Sequence, residues 1–234
     1  MENTKKEQGL YRESFEHDAC GIGALAQIKG IKSHQMLQDA LSVLINMEHR
    51  GGKGLEENTG DGAGILFQIP HRFFRQEAQR QGQLLPDEGA YGVAMIFLPQ
   101  DPDKAEKARF VFAAVCRENG LPVLFWRKVP VDPSSLGFTA KSTMPTIYQA
   151  FLLRPNSVTK GNEFEQQLFV TRRLIEKRIL GDALFDNEIF YVASMELEMT
   201  MSAFIPKEAK YRIPAKLRKS SAIRTSASAR MVLY

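Results

Sequence analysis

Residues 91–130 place an apolar run, YGVAMIFLP, directly before a fully punctuated helix and a second apolar run, PVLFWRKVP. A nine-residue apolar stretch without a charge reads as a buried-type strand. In the segment that follows, DPDKAEKARFVFAAVCRENG, Asp101 can cap the helix, Pro102 suits its first turn and Gly120 suits its end. Strand, helix and strand in close succession require a layered protein, because each strand and each helix must bury an apolar face against another element.

The rest of the chain supplies more of the same elements. CGIGALAQI from Cys20 reads as a short strand, and Ser33 can cap the helix HQMLQDALSVLINMEH. There Leu37, Ala40, Leu41, Leu44 and Met47 fall on one face, and Gly51 of HRGG suits the position past the helix end. A glycine-rich loop then leads into a strand over Ile65 to Ile69, and HRFFRQEAQRQG reads as a short helix. A turn-rich stretch holds Pro130, Pro133 and Gly137. MPTIYQAFLLRP reads as a strand, and NEFEQQLFVTRRLIEKRIL as an amphipathic helix along Phe164, Leu168, Thr171/Arg172, Ile175 and Ile179. EIFYVAS closes the pattern as a strand, so the expected class is layered α/β or α+β. After Ser194 no period is sustained, and the Ser/Ala/Arg-rich end is expected to carry no regular structure.

Charge and cysteine content exclude several functions. The net charge of +4 is unevenly spread: residues 207–234 carry +7, leaving −3 for residues 1–206. The body is therefore slightly acidic, and a uniform nucleic-acid-binding surface is not expected. Two cysteines, Cys20 and Cys116, are too few for a disulfide scaffold and fit reduced thiols in the cytoplasm. No apolar run reaches the length of about 18 residues that a membrane-spanning helix needs. The first 19 residues lack the apolar core of a secretory signal.

Few residues are candidates for chemistry. The glycines of GDGAG (Gly60, Gly62, Gly64) precede a strand, whereas a dinucleotide fingerprint needs them to open a helix, so nucleotide binding is rejected. His17, His34, His49 and His71 have no zinc-type spacing, and no metal site is expected. Cys116 sits mid-helix as a small buried residue. Taken alone, Cys20 at a strand start is more often structural than catalytic. Flanking glycines and the loops HRGGKG and TGDGAG leave open a nucleophile that still needs a base.

The segments EHDACGIG, MEHRGGKG and NTGDGAGILFQIPHRFF, in that order, resemble the amino-terminal glutaminase domain of the glutamate synthase large subunit. KSTMPTIYQAFLLR and NEFEQQLFVTRRLIEKR are similar to its next strand and helix. That domain is a class II glutamine amidotransferase. The resemblance implies an α+β, four-layer αββα N-terminal-nucleophile (Ntn) hydrolase fold, incomplete here at the C-terminal side.

It further implies a leader over residues 1–19, a partial amidotransferase domain over 20–194 and a basic tail over 195–234 with the character of a frameshift product. Cleavage between Ala19 and Cys20 would make Cys20 the catalytic N-terminal nucleophile, its own α-amine serving as base, with glutamine as substrate. Arg50 matches a family arginine near the pocket; as a residue at a helix C-terminus it also suits the helix dipole. The family's HSR segment, its HNGE oxyanion segment and a later aspartate have no counterpart here, and Asn119-Gly120 reads as a helix cap instead. Losing one oxyanion donor typically costs about 100- to 1000-fold in rate, so weak or absent activity is expected. No cofactor is expected in this chain. FMN and an iron–sulfur cluster belong to other parts of the parent enzyme, and the synthase domains and small subunit are its expected partners. The competing reading is a non-enzymatic fragment or binding module whose basic tail recruits an acidic partner.

Overall fold

A computed structural model describes residues 22–29, 33–47, 63–134, 136–186, 188–197, 199–200 and 228–233. Among the described residues, eight strands and five α-helices follow in the order β1 (Ile22–Ala26), α1 (His34–Asn46), β2 (Ala63–Gln68), α2 (His71–Arg80), β3 (Tyr91–Leu98), α3 (Pro102–Glu118) and β4 (Val123–Lys128). Then come α4 (Phe138–Thr143), β5 (Thr146–Leu153), α5 (Asn162–Leu180), a 3-10 turn, β6 (Tyr191–Glu196), β7 (Met199–Thr200) and β8 (Ser228–Leu233).

The strands form two four-stranded sheets, β1-β8-β2-β7 and β4-β5-β3-β6, and every neighbouring pair is antiparallel. Helix α1 lies on the first sheet, burying Ala40, Leu41 and Leu44 with Ile65 and Phe67. The second sheet is covered on both faces, as the unbroken burial of β3 requires. Ala94, Ile96 and Leu98 pack with Ala108, Phe112 and Val115 of α3 and with Phe164, Leu168, Ile175 and Ile179 of α5. The intervening residues Tyr91 and Val93 face the other way, into a cluster with Phe74 and Ala78 of α2, Phe125 and Phe151. Phe125 stacks on Phe151 at 4.2 Å, and Phe74 meets Phe151 edge-on at 5.0 Å. This is the expected α+β class, with helices on each of two sheets.

Local signals act as expected. Ser33 Oγ accepts from the Gln35 N–H at 3.1 Å, and Asp101 Oδ1 accepts from the Asp103 and Lys104 N–H groups at 2.9 and 3.0 Å. Helix α3 closes in a Schellman turn. Leu121 N–H bonds to Cys116 O at 2.8 Å and Gly120 N–H to Arg117 O at 3.0 Å, with Gly120 at φ 73°. Asn119-Gly120 is thereby a helix cap: Asn119 Nδ2 donates to Val115 O and its carbonyl accepts from Gln167 Nε2.

Three places differ from the sequence expectation. Helix α1 reaches its C-cap at Met47, and Gly51 lies outside the described residues. The turn-rich stretch contains α4, whose end is held from a distance: Gln100 Nε2 donates to Lys141 O and Met144 O at 3.0 and 2.7 Å. The region after Ser194, expected to be without regular structure, contributes the end of β6, then β7 and β8. Both β8 and α4 are six residues long, too short for a period to declare itself, and both depend on partners remote in sequence.

Candidate active site

The segments that carry the motifs enter the first sheet at one end. Strands β1 and β2 each pair antiparallel with β8, so they run parallel to each other, joined through α1. Ile22 and Gly64 share one partner, Val232, and so occupy the same row, two strand spacings or about 10 Å apart. Cys20 precedes Ile22 by two residues, and Gly62 precedes Gly64 by two. Helix α1 packs across β1, β8 and β2 and ends at Asn46, four residues before Arg50. Cys20, Arg50, Gly60 and Gly62 themselves lie outside the described residues, as do residues 1–19.

Cys116, the other thiol, is fully buried in α3 against the second sheet. Burial pushes its pKa up to about 12, so it stays a protonated thiol at neutral pH and has no nucleophilic role. Among the described residues no three His, Cys, Asp or Glu side chains gather as a metal would require. A four-thiolate iron–sulfur cluster does not fit a chain with two cysteines, one of them buried in a helix. His71 Nδ1 lies 3.1 Å from the Tyr91 hydroxyl. Burial, and secondly the Glu88 carboxylate, raise the Tyr91 phenol well above its ordinary range, so it stays protonated.

The face of the second sheet beneath α2 holds a polar row that the sequence reading missed. Arg127, Gln149, Met95 and Ser194 are in register across β4, β5, β3 and β6, and all four are buried. Arg127 Nε and Nη2 each reach Glu77 Oε2 at 2.9 Å, and its guanidinium lies over the Phe73 ring. Among the described residues, Gln149 Nε2 and Ser194 Oγ have no hydrogen-bond partner. A signal was present in VLFWRK: Arg127 stands two residues from Phe125, and so on the same buried face. A β-bulge opposite Met95 and Ile96 turns Ser194 to this side, while Val192 and Met195 both face the helices.

Comparison with known proteins bears on residues 20–202, which match the profile of the class II glutamine amidotransferases. The glutamate synthase (NADPH) large chain of Bacillus subtilis is 40% identical over 190 residues, covering 81% of this chain and 12% of the relative. The chloroplastic ferredoxin-dependent glutamate synthase 2 of Arabidopsis thaliana is 37% identical over 188 residues, covering 80% and 11%. The glutamate synthase (NADH) of Schizosaccharomyces pombe is 34% identical over 193 residues, covering 82% and 9%. The chain thus spans about a tenth of the length of the relatives it matches.

Proposed function

Because this chain belongs to the class II glutamine amidotransferases, an Ntn-hydrolase family, we propose that it is the glutaminase part of a glutamate synthase large chain with Cys20 as its nucleophile. The observation that carries the assignment to Cys20 is where the family match starts. It begins at residue 20, as it should if the leader is removed between Ala19 and Cys20. The shared row of Ile22 and Gly64 supports the reading, since it brings the strands that follow Cys20 and the GDGAG loop into one sheet end.

After cleavage the α-amine of Cys20, with an ordinary pKa of about 8, takes the thiol proton. The thiolate attacks the side-chain amide carbon of glutamine, giving a tetrahedral adduct. The C–N bond breaks as the nitrogen receives the proton, releasing ammonia and leaving a glutamyl thioester. Water then adds to the thioester, the C–S bond breaks, and glutamate leaves with the thiol restored. Arg50 is assigned to hold the substrate. We assign FMN, an iron–sulfur cluster, the synthase domains and a small subunit to the rest of such an enzyme. No described helix is long and apolar enough to cross a membrane, and we place the protein in the cytoplasm.

Intact-mass analysis and a glutaminase assay test the assignment together. The expected results are a mass that starts at Cys20, weak ammonia release, and its loss in Cys20→Ala. Release that persists in Cys20→Ala would overturn the mechanism. The competing reading, a module whose basic tail binds an acidic partner, predicts binding that falls steeply with salt and disappears when residues 207–234 are deleted.

A further inference from the structure

Strand β1 is joined to the first sheet through β8. Ile22 to Ala26 pair one for one with Val232 to Ser228, and among the described residues no other strand pairs with β1. The other side of β8 holds β2, with Ala63 to Phe67 pairing with Leu233 to Ala229. Across these rows β1 and β2 stand about 10 Å apart, too far for a hydrogen bond between them. Among the described residues, every ladder bond that fixes β1 relative to β2 therefore passes through residues 228–233. Helix α1 covers all three strands, and the ladder settles which residue of β1 stands level with which of β2. The match to the family profile ends at residue 202, and the chain enters β8 at Ser228. The strand that spaces the two motif-bearing strands thus comes from outside the matched segment.

We propose that residues 228–233 are the positioning strand of the glutaminase site, holding the run that begins at Cys20 level with the GDGAG loop. This rests on the functional reading above. Cys20 lies two residues ahead of Ile22 and Gly62 two ahead of Gly64, so the row that Val232 completes carries both segments to one end of the sheet. Two residues of extended chain reach about 7 Å, so the place of the nucleophile follows from where β1 is pinned. A misplacement of about 1 Å between reacting groups can cost about 100-fold in rate. A slip of one residue in register moves a strand by about 3.4 Å and turns its side chains over. Loss of β8 would also leave the N–H and C=O groups of β1 without ladder partners.

Met231→Pro tests the proposal, because a strand with a neighbour on each side tolerates neither the missing N–H nor the ring. In hydrogen–deuterium exchange of the whole chain, Met231→Pro should abolish the protection of Ile22–Ala26 and leave that of β3 and β5 in place. Protection of β1 that survives in the variant, or is absent from the unmodified chain, overturns the proposal. Labelling of Cys20 separates positioning from exposure. Iodoacetamide needs only an accessible thiol, whereas a diazoketone analogue of glutamine also needs the substrate pocket. Met231→Pro should slow labelling by the analogue about 100-fold while iodoacetamide still labels Cys20. Labelling by the analogue at the unmodified rate overturns the proposal. If Met231→Pro also strips protection from β3 and β5, Gly23→Cys with Met231→Cys in a Cys20→Ala background decides. Facing positions of a ladder lie within disulfide reach. A crosslink between positions 23 and 231 of one chain upholds the proposal, and its absence after mild oxidation overturns it. Failure of the analogue to label the unmodified chain removes the functional reading instead, and exchange and crosslinking still decide whether β8 fixes β1.

Discussion

Across the β4–β5 register, Arg127 Nη1 donates to Gln149 Oε1 at 2.9 Å, deep under helix α2. Arginine has no acceptor, so this bond fixes which end of the Gln149 amide is its oxygen. It also ties Glu77 on α2 to two strands of the sheet through one guanidinium. Arg127→Ala leaves Glu77 half-buried with Arg80, a mostly exposed side chain, as its one remaining ion-pair partner among the described residues. Urea unfolding should show a loss of about 3 kcal/mol, the lower end for breaking a buried pair. An unchanged midpoint would show that the pair contributes nothing.

The Cys116 thiol provides a prediction in the alkaline range. Its folded pKa, near 12, lies above its ordinary value of 9.0 because burial disfavours the thiolate. Between these values the unfolded chain gives up a proton that the folded chain keeps, so stability falls as pH rises. The contribution is complete below about pH 9 and is lost progressively towards pH 12. Chemical denaturation at pH 8 and pH 10.5 should show this loss, and Cys116→Ala should reduce it. In the native chain at pH 7, iodoacetamide should leave Cys116 unmodified until urea is added.

Two glycines should respond to alanine for different reasons. A Cβ at Gly120 would approach Gln167 Nε2 no closer than 3.7 Å, so its cost is backbone strain from φ 73°, about 1 kcal/mol. At Gly92 a Cβ would lie 2.9 Å from Leu168 Cδ1 and 3.3 Å from the Glu196 carbonyl, which is overpacking between β3, α5 and β6. Gly92→Ala should cost about 1–3 kcal/mol, and thermal unfolding of both variants should rank it as the more damaging.

Asp101→Ala removes the acceptor of two otherwise unsatisfied N–H groups at the start of α3. A loss of about 1 kcal/mol is expected, with Asp101→Asn retaining most of it. Thermal unfolding of the pair separates the cap from its charge.

Where structure is dictated by neighbours in sequence, it was legible. Asp101, Pro102 and Gly120 bracket α3 within a residue or two, and the five positions picked out along α5 include its buried face. The family of the chain was likewise legible, in three short motifs. The Glu77–Arg127–Gln149 network was not, because its members are 50 and 22 residues apart and only sheet register brings them together. Strand β8 escaped for the same reason: Ser228–Leu233 has no period of its own, and its pairing with β1 and β2 spans most of the chain. Cys20 and Arg50 rest on motif and family match, since both lie outside the described residues.

The bulge in β6 has a consequence for how this chain tolerates insertion and deletion. Val192, Met195 and Leu197 all belong to the helix-side core, with a step of three followed by a step of two. A strand in regular alternation cannot send residues three apart to one side. Ala193 is the extra residue, standing between the pairs Ile96–Val192 and Met95–Ser194. Removing it would bring Val192 and Met195 two apart and leave Ser194, Met195 and Leu197 facing as they do now. Removing any one of the paired residues from Ser194 onward, with the bulge kept, would instead turn the residues that follow it to the opposite face.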